Sequence, residues 1–455
     1  MSHHNEEIKS WKAIEIPQIK DIFSYTRDGV NDKVEYDHGT NPGDGDTDND
    51  ALDDRQEIYY YGTYGYTWDS DEDELSDKKE ITEGTDPLRY TYKWLLMMYL
   101  DGDNDLFSEV LEEKEDMLSY YDKLTYPVKI TMLFDGNGNE DSEYYQIEKD
   151  GYTHINIEEL NMGDSETLKD FIRRSYNFYR YAERIVLVMS NHGAAALGLC
   201  QDAHSNGDML TIAELKNSLE YASNLFNGKI DILYFQACNM QQIEIGYEIK
   251  NYVKNIIGSQ WILGGESFPT FPHRIIINKI SKDPEESEEV IAKEIVNGAI
   301  DNSDDYVMSS IKASYINEIT YLINEISSKL ITNWSYVQEN ILKVVRNPWF
   351  YNSHATDYPY RDLKHFFLWV KENLTLSGYS DPIFYRDVES LLSLCSRSVY
   401  VNFNDYERAH LWFQGVGIFL PVNTKENNGS FLTAFEHTGA SNWYELTQLI
   451  VEGFN

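Results

Sequence analysis

Residues 184–190, Arg-Ile-Val-Leu-Val-Met-Ser, and 229–236, Lys-Ile-Asp-Ile-Leu-Tyr-Phe-Gln, are two apolar runs, each followed two residues later by a reactive side chain, His192 and Cys238. Runs of this length without polar alternation suit strands buried on both faces, as in a parallel sheet lying under helices. Between them, Thr211 and Glu214 have the spacing of a capping box and open a helical pattern over residues 211–226. Strand, helix, strand makes a right-handed crossover, so both strands end at one edge of one sheet. Open α/β sheets carry their sites at that edge. The pattern therefore predicts His192 beside Cys238. A thiol next to an imidazole is what a cysteine nucleophile needs, because the thiolate attacks and a nearby base makes it available.

The rest of the chain fits an α/β fold. Strands are expected over 93–100, over 128–134 (ending at Asp135-Gly136), over 255–262 and, late in the chain, over 414–421. Helical patterns cover 106–121, 165–181, 241–253 and 441–452, and residues 285–400 are mostly helical with breaks near Pro348 and Pro359. Asp101, Asp103 and Asp105 follow the first strand, and a helix cap is favoured for them over a calcium site. With 455 residues, two or three units are expected, and a hydrophobic content of 42% supports a real core. A net charge of −39 argues against nucleic acid or anionic membrane as partner. Three cysteines give no disulfide framework, and Cys200 and Cys395 read as structural. No apolar run reaches the roughly 18 residues of a membrane span, and no signal peptide is visible.

Much of the negative charge is local. From residue 28 to 87, twenty acidic residues stand against four basic ones. Residues 46–57 and 69–80 match each other at a 23-residue offset, and a weaker copy over 24–35 keeps Asp28, Asp32 and Glu35. Asp46, Asp48, Asp50, Asp54 and Glu57 occupy positions 1, 3, 5, 9 and 12 of a calcium loop, with the Leu52 carbonyl at position 7. Asp69, Asp71, Asp73, Asp77, Glu80 and the Leu75 carbonyl repeat the pattern. Oxygen-only ligands suit calcium and not zinc. Position 6, glycine in an EF-hand, is Ala51 or Glu74 here, which counts against a helix–loop–helix EF-hand. The pattern resembles thrombospondin type 3-like repeats, in which compact loops wrap calcium with little apolar core. The rival reading is a solvated acidic linker, which two copies in register count against.

In chain order, Tyr99 to Leu106 (Tyr-Leu-Asp-Gly-Asp-Asn-Asp-Leu), Asn161 to Leu168, Asn191-His192-Gly193, Gln236-Ala237-Cys238-Asn239-Met240 and Gly415 to Pro421 resemble the clostripain family of caspase-like cysteine peptidases. His192 precedes Cys238 by 46 residues. The corresponding separation in caspases is about 50, and their signature also contains Gln-Ala-Cys. The resemblance covers about residues 92–453 and implies a caspase-like sheet flanked by helices. It further implies an endopeptidase acting on protein or peptide substrates, extracellular or at the cell surface. Cys238 is the expected nucleophile and His192 the general base and acid, with the amides of Gly193 and Cys238 as oxyanion donors. No third triad member is identifiable.

The expected organisation is an N-terminal segment (1–27), acidic calcium-binding repeats (28–89) and a peptidase domain (90–455) with a helical insertion around 285–400. Two departures from the family stand out. Ala194-Ala195-Ala196 replace its glycines after the His-Gly pair, and Gln236 stands where the family has an Asp that helps bind Arg or Lys. A weakened Arg/Lys preference is therefore expected, with Gln236 and Glu266 as pocket residues. The alternative is a calcium-braced surface binding protein whose peptidase-like domain does not catalyse.

Overall fold

The computed structural model describes residues 29–73, 75–84, 86–88, 94–124, 128–149, 151–179, 182–261, 263, 272–298, 307–346, 360–403, 414–420 and 441–454. The chain divides into two units, Met1–Thr91 and Tyr92–Asn455.

The first unit is built from loops and short helices. Asp32–His38 and Asp77–Glu83 are single α-helical pieces, and Asp54–Gln56 runs into a π turn, Glu57–Tyr61. All three end at a left-handed glycine, Gly39, Gly62 or Gly84, as helix C-termini commonly do. Val30, Leu52 and Leu75 are its buried aliphatic side chains among the described residues. So small an apolar core leaves polar bonds to define the loops, and these repeat at the 23-residue offset. Asn41 N–H donates to Thr47 Oγ1 and Tyr64 N–H to Ser70 Oγ, each at 2.7 Å. Thr47 in turn donates through N and Oγ1 to Asp54 at 2.8 and 2.9 Å, and Ser70 does the same to Asp77 at 2.8 and 2.6 Å.

The second unit is organised on a nine-stranded sheet. Its parallel centre is β1 (Trp94–Asp101), β2 (Val128–Asp135), β5 (Arg184–Ser190), β8 (Ile230–Gln236) and β9 (Val253–Gly258). The hairpin of β3 (Ser142–Glu148) and β4 (Gly151–Ile157) extends one side antiparallel. On the other side β10 (Val307–Lys312) and β12 (Val399–Phe403) do the same. Short ribbons are made by β6 (Leu199–Asp202) with β7 (Asp208–Leu210), and by β11 (Tyr360–Asp362) with β13 (Gly417–Phe419).

All of β1 is buried because both faces are covered. Leu96, Met98, Val186, Val188, Ile232 and Tyr234 face a core completed by Val110 and Met117 of α1 (Phe107–Tyr120) and by Ile276 and Ile295 from later helices. On the opposite face Tyr99 packs its ring 5.8 Å from Phe171 of α2 (Ser165–Phe178). The crossover from β5 to β8 passes through α3 (Ile212–Leu225), capped by the expected Thr211–Glu214 box.

Several expectations need correction. The segment 285–400 is mostly helical as expected, but it also supplies β10 to the main sheet and leads into β12. The helix after Cys238 is Ile243–Ile249, shorter than expected, and the next strand is Val253–Gly258 rather than 255–262. The late strand shrinks to Gly417–Phe419 and pairs outside the main sheet. The β3–β4 hairpin was not anticipated, because β4 is largely exposed and its sequence carries no apolar run.

Candidate active site

In the β5–β8 pair Ser190 lies opposite Gln236, so His192 and Cys238 each stand two residues beyond a matched position. Chain order reverses at β1, which has β2 on one side and β5 on the other, and this is the switch point where α/β sheets open a crevice. Asn191 anchors the β5 end: its N–H bonds Gln236 O at 3.4 Å and its Nδ2 bonds Asp101 O at 2.6 Å. Gly193 lies directly on the Cys238 backbone, where a Cβ would overlap the Cys238 carbonyl oxygen and crowd the Ala237 Cβ at 3.0 Å. Flanking bonds, Ala194 N–H to Gly198 O and Cys200 N–H to His192 O, fix this turn without using the Gly193 N–H.

The Cys238 thiol is half-buried, and burial raises its pKa. Opposing this, Leu263 donates its N–H to Sγ at 3.3 Å, a bond that strengthens when the sulfur is ionised. Asn239 turns the chain through a left-handed conformation, φ 60°, and gives its N–H to Trp261 O. The thiols of Cys200 and Cys395 are buried.

His192 is held by a residue the sequence did not single out for this role. Its Nε2 lies 2.7 Å from Asp105 Oδ1, and that bond lowers the Asp105 carboxyl pKa. The expected helix cap by Asp101, Asp103 or Asp105 is not formed. Leu106 is the N-cap without a side-chain cap bond, and its own N–H goes to Asn104 Oδ1 at 2.9 Å.

Gln236, the last residue of β8, is fully buried, and its Nε2 donates to Glu113 Oε2 at 3.2 Å. Ser190 Oγ donates to the same oxygen at 3.0 Å. Glu113 Oε1 and Gln236 Oε1 have no hydrogen-bond partner among the described residues. Burial raises the Glu113 carboxyl to about 7. Two enclosed acceptors without a donor suit a cationic group. Glu266, the other expected pocket residue, lies outside the described residues.

In the first unit, carboxylate oxygens of Asp46, Asp48 and Asp50 lie within 4.8 Å of one another, as do those of Asp69, Asp71 and Asp73. Oxygens on opposite sides of one calcium ion are about 4.6–5.2 Å apart, so both sets are compact enough for one. Glu57 is buried with its Oε2 unpartnered, and its carboxyl is raised to about 8 by burial and then by Asp48 and Asp50. A buried carboxylate oxygen without a donor, near other carboxylates, suits a hard cation. Asp54 and Asp77, expected at position 9, instead accept the Thr47 and Ser70 bonds that brace each loop. Leu52 and Leu75 donate their N–H groups to Asp50 and Asp73. Ala51 takes φ 77°, the conformation glycine supplies in an EF-hand, so alanine there does not prevent the loop turn. Glu74 lies outside the described residues.

The family model described as the clostripain family, Peptidase C11, matches residues 98–445. Clostripain of Hathewaya histolytica is 28% identical over 196 residues, covering 35% of this chain and 36% of that protein, so the match spans about a third of the relative's length. A secreted C11 cysteine protease from Bacteroides thetaiotaomicron, solved with an irreversible peptide inhibitor, has a TM-score of 0.57 at 17% identity, covering 78% of this chain and 99% of that one. An inactive zymogen C11 protease from Parabacteroides distasonis has a TM-score of 0.54 at 17% identity, covering 78% and 98%. At these identities the structural likeness establishes the fold.

Proposed function

This chain belongs to the clostripain family, and from that premise we propose that it is a cysteine endopeptidase using Cys238 and His192, with a weakened preference for Arg or Lys before the scissile bond. The reading is carried by the matched ends of β5 and β8, where Gly193 packs on the Cys238 carbonyl. With Asp105 on Nε2, the His192 Nδ1 takes the thiol proton, and Sγ attacks the substrate carbonyl carbon. The Gly193 and Cys238 amides receive the oxyanion, and His192 passes its proton to the departing amine. Water, deprotonated by His192, then cleaves the thioester and frees the thiol.

A thiol-directed peptide electrophile tests the reading. Stoichiometric labelling of Cys238 that disappears in His192→Ala is expected, and labelling indifferent to His192 would refute it. Gly193→Ala is expected to lower kcat/KM by at least about 10²-fold, because the Cβ must push the Cys238 carbonyl and one oxyanion donor out of place. Circular dichroism of the variant should remain that of the parent.

We read the acidic loops as calcium-holding, with Asp46, Asp48, Asp50 and Glu57, and Asp69, Asp71, Asp73 and Glu80, as carboxylate ligands. The ion would neutralise carboxylates that otherwise repel one another. Chelation is then expected to make residues 28–88 protease-sensitive, and equal resistance with and without EDTA would remove the calcium assignment.

Protein or peptide substrates and an extracellular or cell-surface location complete the reading. Among the described residues no helix is long and apolar enough to cross a membrane. Maturation by a cut after a basic residue is not expected in the loop following His192, since no Lys or Arg lies between Gly193 and Leu215. Intact-mass measurement of the purified protein checks this, and a cut within 194–215 would contradict it.

A further inference from the structure

A cleft with nearly all-apolar walls opens between helix Ile243–Ile249, helix Ile316–Thr332, β13 and the closing helix Ser441–Phe454. Counting the solvent at its mouth, it encloses about 450 Å³, toward the low end for small-molecule sites. Ile323 and Ile418 supply aliphatic wall, and Tyr247, Trp443 and Tyr444 aromatic wall. None of the lining residues is basic. One side of the cleft is fixed by hydrogen bonds on Phe419. Its N–H goes to Glu244 Oε1 at 2.9 Å, and its carbonyl accepts the Trp443 indole N–H at 3.1 Å.

Glu244 is the exception in this lining. It is 6% exposed, and its Oε2 has no hydrogen-bond partner among the described residues. Burial raises its carboxyl to about 7. Protonation removes the charge but puts a buried donor in place of a buried acceptor. A water on Oε2 finds few further partners, because the Thr320 and Thr447 hydroxyls are donated to carbonyls of their own helices, Ile316 O and Tyr444 O. An ammonium brings donors and the opposite charge, and a short carbon chain behind it suits the walls. Aromatic faces add to the attraction, and Tyr247 already holds one cation, with Lys250 Nζ 3.3 Å from its ring centre. A single open oxygen suits the compact ammonium better than the planar fork of a guanidinium.

We propose that this cleft binds a small primary amine, its ammonium on Glu244 and its carbon body against Ile323, Ile418 and the rings of Trp443 and Tyr444. Neither His192 nor Cys238 lines the cleft. It nevertheless shares a frame with the reactive turn. Phe419 pairs with Tyr360 across β13 and β11, and the Tyr360 hydroxyl accepts the N–H of Ala196, four residues beyond His192, at 3.3 Å. The amine is a ligand held beside the catalytic frame, not a substrate.

The test uses n-butylamine on the full chain at pH 8, followed by ligand-observed NMR titration and by thermal melting. The uncharged counterpart of equal size is 1-butanol. Butylamine is expected to bind and to raise the melting temperature, and 1-butanol to bind at least about 10-fold more weakly. Glu244→Gln keeps an acceptor for the Phe419 N–H and should weaken butylamine binding at least about 10-fold. Thr320→Met leaves the carboxylate in place, fills the cleft with an unbranched side chain and should weaken binding as much. If Glu244→Gln does not fold, Thr320→Met decides alone. Glu113→Gln should leave binding unchanged, which separates this cleft from a pocket for a basic substrate side chain. The proposal is overturned if the parent does not bind butylamine, or if 1-butanol binds equally well. Binding undiminished in Glu244→Gln or Thr320→Met, or lost in Glu113→Gln, overturns it too. None of these readouts depends on peptide hydrolysis.

Discussion

Cys238→Ala is expected to abolish peptide hydrolysis, with a fall in kcat/KM on the order of 10⁴-fold or more, and His192→Ala to fall about as far. Residues that act as a unit show this behaviour, because removing either leaves the other without a task. Burial raises the Cys238 pKa, so the thiol does not ionise readily by itself. In the proposed mechanism His192 is the base that offsets this, and the Leu263 N–H bond to the sulfur also favours the thiolate. Stability should hardly change. Cys238 is half-buried at a strand end, so its truncation leaves little cavity, about 1 kcal/mol or less. Peptide turnover and thermal melting on the same preparations decide the matter. Turnover retained in Cys238→Ala would remove the peptidase assignment. Turnover lost together with a collapsed melting transition would show the substitution acting on the fold.

The parts of this architecture legible in sequence are those buried on both faces. β1, β2, β5 and β8 carry near-continuous apolar runs because helices cover both sides, and such a run marks a strand wherever it occurs. The α3 helix announces its start through Thr211 and Glu214, a local interaction three residues long. β4 is exposed, and β10 and β12 are short strands set among helices, so none carries a pattern that distinguishes it from its surroundings. The placement of His192 and Cys238 just beyond matched strand ends was legible for the same reason as the strands. Its supporting groups were not, because Asp105 is 87 residues from His192 and Glu113 is 123 residues from Gln236. One signal did exist. Val110, Glu113 and Met117 form the buried stripe of α1, and a glutamate at a position the helix period assigns to the core requires a polar partner inside.

Glu113 leads to the second large expected effect. Where family members carry Asp two residues before the cysteine, this chain has Gln236, a neutral amide, yet a carboxylate is bonded to it from α1. In this chain the carboxylate next to that position comes from the helix and not from the strand. If Glu113 receives the basic group of the substrate, Glu113→Gln should lower kcat/KM for Arg and Lys substrates by about 10²-fold. That figure corresponds to a charged hydrogen bond of up to about 3 kcal/mol. Leu substrates should change little. Burial raises the Glu113 carboxyl to about 7, so it is neutral below that pH and ionised above. A cation favours the ionised form, and the Arg-to-Leu ratio of the wild type should therefore rise with pH through about 7 and flatten in Glu113→Gln. An equal loss for Arg and Leu would mean that Glu113 only supports Ser190 and Gln236. Unchanged selectivity would mean that the basic preference, if present, is anchored elsewhere, with Glu266 the first residue to substitute. The decisive control is Gln236→Asp added to Glu113→Gln. It returns a carboxylate to the strand position, two residues before Cys238, and should restore Arg selectivity without restoring Glu113.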